Sequence, residues 1–264
     1  MLHGALDQID RLISAERLWL FLDYDGTMAD FAPTPDDILP DPELIGLVSQ
    51  LALQADIKPA IISGRRLDHV RALMPVPGIL LAGTYGVEYL TPGGDQINRL
   101  DFSKTRPTLD LVKPEWEHLI LNRKGFYLED KRWSLALHAR LAADQDSVNI
   151  LDAARTFAAK TIDPAVFRIL GGHKFLEVGP QLANKGETIN FILEQYPWDG
   201  SLPVYIGDDD KDEEAFSAIT EHGGIAILVA NEPRETQARL RLESPQDVRV
   251  WLEQTLMSRQ SPDQ

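Results

Sequence analysis

The chain has 264 residues, 44% hydrophobic and 25% charged, with 26 Lys and Arg against 41 Asp and Glu and a formal net charge of −15. That balance suits a folded globular protein of one large domain or two modest ones, with enough chain to bury a core. It opposes non-specific binding to nucleic acid or an anionic membrane, which needs clustered Lys and Arg, and the absence of cysteine excludes disulfides, thiolate metal sites and thiol nucleophiles.

The continuous apolar run Leu18–Leu22 reads as a strand buried on both faces of a parallel sheet. Pro33, Pro35 and Pro40 mark a loop, and Asp41 before Pro42 caps a helix expected over Asp41–Gln54. A second strand, Ile57–Ile62, runs into Ser63-Gly64-Arg65. A helix over Leu67–Leu73 and a third strand over Gly78–Ala82 follow. The pattern then turns to paired strands, Gly125–Asp130 and Trp133–Ala139 around Lys131-Arg132. A helix over Gln145–Lys160 comes next, then strands Val166–Leu170 and Lys174–Val178 joined at Gly171-Gly172. The strand–helix rhythm returns with a helix over Asn184–Gln195, a strand Pro203–Ile206, a helix Asp212–Thr220 and a strand Gly224–Val229. A last helix starts at Ser244-Pro245 and runs to about Met257, before a polar tail. The fold class expected is α/β, a doubly wound, mainly parallel sheet core (residues 1–100 and 183–264) with an inserted smaller α+β domain (101–182). No segment reads as an export signal or a membrane span, because Leu18–Leu22 is short and Asp23 interrupts it. A cytoplasmic monomer acting on a small molecule is therefore expected, with no nucleic-acid or membrane partner.

In open α/β sheets, ligands bind beyond the carboxyl ends of the strands. There the chain places Asp23-Tyr24-Asp25-Gly26-Thr27. Two carboxylates one residue apart suit a nucleophile or metal ligand beside a proton donor and acceptor, although Asp and Gly also simply make turns. Gly207-Asp208-Asp209-Asp210-Lys211-Asp212-Glu213-Glu214 follows a second apolar strand. Glu213 and Glu214 suit a helix start, but Asp208 at the strand exit calls for a cation, and hard oxygen donors favour Mg²⁺. A calcium loop would need Gly at its sixth position, where Glu213 stands. Ser63-Gly64-Arg65 offers a hydroxyl and backbone N–H groups to an anion, and Lys185-Gly186 brings an ammonium group. Together these four features supply what phosphoryl transfer requires, while the GxxxxGK[ST] loop of nucleotide enzymes is absent.

DYDGT, SGR, KG and GDDDKDEEAF, in that order, resemble the four motifs of the haloacid-dehalogenase-like phosphatases, and are most similar to those of the trehalose-6-phosphate phosphatase family. Leu128–Lys131, Leu137–Arg140 and Lys174–Glu177 extend the likeness into the insert, which is a cap domain in that family. Lys211 stands where the family usually has Thr, and Tyr85-Gly86 where it often has His-Gly. The resemblance implies hydrolysis of trehalose 6-phosphate, with Asp23 as nucleophile and Asp25 as acid and base. Mg²⁺ would lie on Asp23, the Asp25 carbonyl and Asp208, with Asp209 or Asp212 in support. Ser63, Gly64 and Lys185 would bind phosphate. Glu129, Lys131 and Glu177 would grip the sugar, with Arg65, His138 and Lys174 as further substrate-binding candidates. Cross-strand ion pairing is the alternative for the cap charges, and a structural role for His138. Other phosphorylated disaccharides or glycosyl-3-phosphoglycerates are the nearest rival substrates. A phosphomutase or a sugar-phosphate sensor lies further off, since a sensor needs no pair such as Asp23 and Asp25.

Overall fold

Side chains alternate across a strand, and in β1 (Arg17–Leu22) that alternation sends Leu18, Leu20 and Leu22 to one face and Trp19 and Phe21 to the other. All five are buried, which explains the unbroken apolar run. The structure, a computed structural model, describes residues 11–12, 14–31 and 37–260. On the first face β1 meets helices α1 (Pro42–Ala52), α2 (Leu67–Leu73) and α7 (Pro245–Gln260), through residues such as Val48, Val70 and Leu252. On the second it meets α5 (Lys185–Gln195) and α6 (Asp212–Glu221), through Ile189, Phe216 and Ile219. The Asp41 side chain caps α1 as expected, accepting the Glu43 and Leu44 N–H groups. The loop reading at Pro33 and Pro35 and the tail from Ser261 lie outside the described residues.

The sheet around β1 also holds β2 (Ile57–Ile62), β3 (Leu80–Gly83), β4 (Glu88–Leu90), β5 (Gln96–Asn98), β10 (Ser201–Gly207), β11 (Ile225–Val229) and β12 (Leu240–Leu242). Their order is β12-β11-β10-β1-β2-β3-β4-β5, parallel from β12 to β3, with β4 antiparallel to β3. The short strands β4, β5 and β12, of which β5 and β12 form the sheet edges, are additions to the elements read from sequence. Chain order reverses across β1, between β10 and β2, so the connections leave in opposite directions and open a crevice at the carboxyl ends. Asp23, Ser63 and Asp208 immediately follow β1, β2 and β10.

The chain divides into two compact units, one from the described residues up to Ile97 and from Asn184 onward, the other from Asn98–Ala183. In the second unit β6 (Tyr127–Asp130), β7 (Leu135–His138), β8 (Phe167–Gly172) and β9 (Phe175–Pro180) form an antiparallel sheet in the order β6-β7-β9-β8. Leu135, Leu137, Leu176 and Val178 pack with α3 (Phe102–Ile120) and α4 (Asp144–Thr161). Helix α3 was not expected, and it contains Pro107 and Pro114. An interior proline costs a helix about 3 kcal/mol. Burying Leu109, Val112 and Trp116, at about 1.5–3 kcal/mol each, offsets that. Gly171 and Gly172 belong to β8 rather than to the turn, which falls at His173-Lys174 with Lys174 at φ 52°. The last helix runs three residues beyond Met257, to Gln260. Among the described residues, no helix is long and apolar enough to cross a membrane.

Candidate active site

The loop leaving β1 folds back at once. The Gly26 N–H donates to the Ala29 carbonyl (2.7 Å), and the Met28 and Ala29 N–H groups donate to that of Tyr24 (3.0 Å each). Gly26 has φ +78°, and a Cβ there would stand 2.6 Å from both the Asp208 carboxyl carbon and the Phe31 ring. Only glycine lets this turn lie against Asp208. The Thr27 hydroxyl then donates to Asp208 Oδ1 (3.1 Å), and Arg249 of α7 holds the Met28 carbonyl (2.9 Å).

Asp212, fully buried, organises the acidic strand end. Its Oδ2 accepts the N–H groups of Asp208 (2.9 Å) and Asp209 (3.0 Å). Its Oδ1 accepts from Lys185 Nζ and the Tyr205 hydroxyl, both at 2.5 Å. Lys185 reaches Asp23 Oδ1 as well (2.9 Å), placing one ammonium group between two carboxylates. Asp23, Asp208 and Asp212 each offer an oxygen within 4.8 Å of the others. Burial, the Lys185 charge and the neighbouring carboxylates compete over Asp23, and its pKa rises to about 7. Burial and the charges of Asp23, Asp212 and Asp209 push Asp208 up to about 9. Burial opposes the Lys185 charge, but Asp212 and Asp23 hold its pKa well above the ordinary value. The donor set fits Mg²⁺: the oxygens are hard, and a cation among them would offset the burial and the mutual repulsion that favour protons on Asp23 and Asp208. Asp209 stands apart from the three, accepting the Lys211 N–H (2.6 Å) and Nζ (3.0 Å). Burial works against its charge, yet Lys211 and Lys185 keep its pKa low.

At the end of β2 the Ser63 hydroxyl accepts the Arg65 N–H (3.2 Å). The Thr84 and Tyr85 N–H groups donate to the Arg65 (2.7 Å) and Ser63 (2.9 Å) carbonyls. A Cβ on Gly64 would meet the Tyr85 ring at 2.7 Å, so this loop closes only around glycine. Asp25 lies in a two-pronged pair with Arg65, Oδ2 to Nε at 2.6 Å and Oδ1 to Nη2 at 2.7 Å.

In the second unit, strand alternation puts Glu129, Ala136, His138 and Glu177 on the sheet face away from Leu135, Leu137 and Leu176. Lys131 Nζ lies 3.2 Å from Glu177 Oε2 and 4.0 Å from Glu129 Oε2. The Ser134 hydroxyl donates to Glu177 Oε1 (2.6 Å), and His138 Nε2 lies 2.9 Å from Glu129 Oε2. Lys131 and Glu177 are buried. Lys174 Nζ instead holds the Ala142 carbonyl and Asp144 Oδ1, both at 2.7 Å.

The family model described as Trehalose-phosphatase matches residues 21–246. The chain belongs to the trehalose-phosphatase family. Trehalose-phosphate phosphatase B of Arabidopsis thaliana is 29% identical over 95% of this chain and 70% of its own length. The trehalose-phosphate phosphatase of Mycobacterium marinum is 32% identical over 91% of this chain, which spans 62% of that protein. In fold, the chain is similar to the C-terminal domain of trehalose-6-phosphate phosphatase from C. albicans, with a TM-score of 0.84 at 20% identity, covering 96% of each chain. The trehalose phosphatases are phosphoric monoester hydrolases.

Against the residues singled out from sequence, the structure brings Asp23, Lys185, Asp208 and Asp212 into one cluster, and Glu129, Lys131, His138 and Glu177 into another. Asp209 and Lys174 point elsewhere, and Arg65 faces Asp25. Tyr205 and Arg234 are among the residues that escaped the sequence reading. Tyr205 looked like one more apolar position in β10. Arg234, in a loop without periodicity, binds the Asp208 (3.3 Å) and Asp209 (3.0 Å) carbonyls and pairs with Asp210 and Glu213. The only signal for it was an excess of carboxylates in need of a counter-charge.

Proposed function

We propose that this member of the trehalose-phosphatase family is a Mg²⁺-dependent hydrolase of sugar phosphate monoesters, with trehalose 6-phosphate as its preferred substrate. The observation that carries the reading is the buried Lys185 ammonium held between Asp23 and Asp212, beside Asp208, at the reversal point of the sheet. An Asp23 oxygen attacks phosphorus, the bond from phosphorus to the sugar oxygen breaks, and Asp25 gives that oxygen a proton. Asp25 then takes a proton from water as the water attacks the aspartyl phosphate. The bond from phosphorus to Asp23 breaks, releasing phosphate. Ser63, the Gly64 N–H and Lys185 hold the phosphoryl oxygens. Asp23, Asp208 and the Asp25 carbonyl would hold Mg²⁺, which would supply the positive charge that lets an anionic nucleophile meet an anionic phosphate. Asp212, with both oxygens engaged by Lys185, Tyr205 and two backbone N–H groups, orients its neighbours. Glu129, Lys131, His138 and Glu177 bind the sugar hydroxyls, because polar side chains fixed by their own partners discriminate strongly between hydroxyl patterns. The absence of cysteine suits a cytoplasmic location.

The test is phosphate release, with Mg²⁺ and with EDTA, from trehalose 6-phosphate beside other mono- and disaccharide phosphates and glycosyl-3-phosphoglycerates. The expected result is metal-dependent release with a strong preference for trehalose 6-phosphate. Preference for another panel member would keep the chemistry and change the sugar. Isomerised sugar phosphate would mean a mutase. Binding without release would favour a sensor.

A further inference from the structure

Arg65 follows the phosphate-binding Ser63-Gly64 pair directly, and a substrate contact is the obvious role for its guanidinium. The geometry points elsewhere. Nε and Nη2 form both prongs of the pair with Asp25, at 2.6 and 2.7 Å, and Nη1 faces the His69 ring, 3.2 Å from Nδ1. All three nitrogens are thus met by this chain's own side chains, and Arg65 is 7% exposed. Its backbone is fixed too, N–H on the Ser63 hydroxyl and carbonyl on the Thr84 N–H. A parallel two-pronged pair sets the plane of a carboxylate as well as its position, which a single hydrogen bond does not. Asp25 is held at the end of β1 only by its backbone, and Arg65, 40 residues on, supplies the side-chain anchor.

We propose that Arg65 is a positioning residue for the acid and base Asp25, and not a substrate-binding residue. The assignment rests on the function proposed above, in which Asp25 protonates the departing oxygen. A misaimed Asp25 hurts transfer to a poor leaving group most, because a good one departs without help.

Phenyl phosphate and p-nitrophenyl phosphate separate these roles, being alike in size, free of sugar hydroxyls and different in leaving-group quality. For Arg65→Gln, kcat/KM is expected to fall on the order of 100-fold on phenyl phosphate and less than about 10-fold on p-nitrophenyl phosphate. Arg65→Lys, which keeps one prong, should fall between Arg65→Gln and the unaltered protein. In Asp25→Asn, adding Arg65→Gln should change the remaining turnover by less than about 2-fold, because the two residues then act as one unit. Equal losses on both aryl phosphates, or an undiminished loss in the Asp25→Asn background, would overturn the assignment and return Arg65 to substrate binding. An unaltered protein that turns over neither aryl phosphate nor any sugar phosphate would instead sink the proposed function, and this role with it.

Discussion

Lys185 and Lys131 are both buried ammonium groups flanked by two carboxylates, one in each unit of the chain. Around Lys185 stand Asp23, Asp208 and Asp212, three carboxylates against one ammonium, and two of them have pKa values raised to about 7 and 9. Around Lys131 stand Glu129 and Glu177, and the same carboxylates take further hydrogen bonds from His138 and Ser134. The first cluster carries a negative surplus that a divalent cation would answer. The second is closed on itself, a network whose members fix one another. The contrast separates a cluster left with charge to balance from one whose members hold one another in place, although both read in sequence as Lys among Asp and Glu.

The largest expected effect falls on the surplus cluster. Asp23→Asn should lower turnover by at least about 10⁴-fold with an unchanged circular dichroism spectrum, since it removes the attacking oxygen and not the fold. Substantial Mg²⁺-dependent activity in that variant would mean that the nucleophile lies elsewhere.

Next comes the pH dependence of metal binding. A carboxylate whose folded pKa is raised above its ordinary 3.8 stabilises the fold fully below that value. The contribution is lost as pH rises through the folded pKa, about 7 for Asp23 and about 9 for Asp208. Metal-free protein should therefore melt at lower temperature as pH climbs from 6 to 9.5, while the stabilisation by Mg²⁺ grows over the same range. Thermal melts with Mg²⁺ or EDTA at several pH values measure both trends. Asp208→Asn should flatten both, and a Mg²⁺ shift independent of pH would contradict the surplus.

The smallest effect on chemistry, though not on folding, is expected in the closed network. Lys131→Met leaves Glu177 buried without its ammonium partner and should cost about 3 kcal/mol or more. Lys131→Met with Glu177→Met should recover much of that stability. The double variant should still show a raised KM for the sugar phosphate and a smaller change in p-nitrophenyl phosphate hydrolysis. Denaturant melts and paired kinetics give both numbers, and unchanged KM would make the network purely structural.

The placement of Asp23, Ser63 and Asp208 at strand ends was legible because each follows an apolar run directly. The double-sided burial of β1 was legible for the same reason. Helix α3 was not, since two prolines mask a helix that tertiary packing of Leu109, Val112 and Trp116 sustains. The turn between β8 and β9 was misplaced because glycine marks turns on average, whereas here His173-Lys174 makes it. Partner choice was least accessible. Nothing local tells Arg65 to face Asp25, Arg234 to wrap the Asp208 loop, or Lys174 to turn to Ala142. Such pairings arise only when the fold brings distant residues together.

The placement of β1 has a consequence for synthesis. One edge of β1 pairs with β2, which emerges from the ribosome soon after it, but the other pairs with β10, with Arg17 opposite Ser201. At ordinary rates of translation those roughly 180 intervening residues take about 10–40 s to appear. Through that interval the β10-facing edge of β1 leaves its backbone N–H and C=O groups unpaired between two apolar faces. The nascent chain is therefore most prone to stick to its neighbours, and most in need of a chaperone, before its last quarter is made.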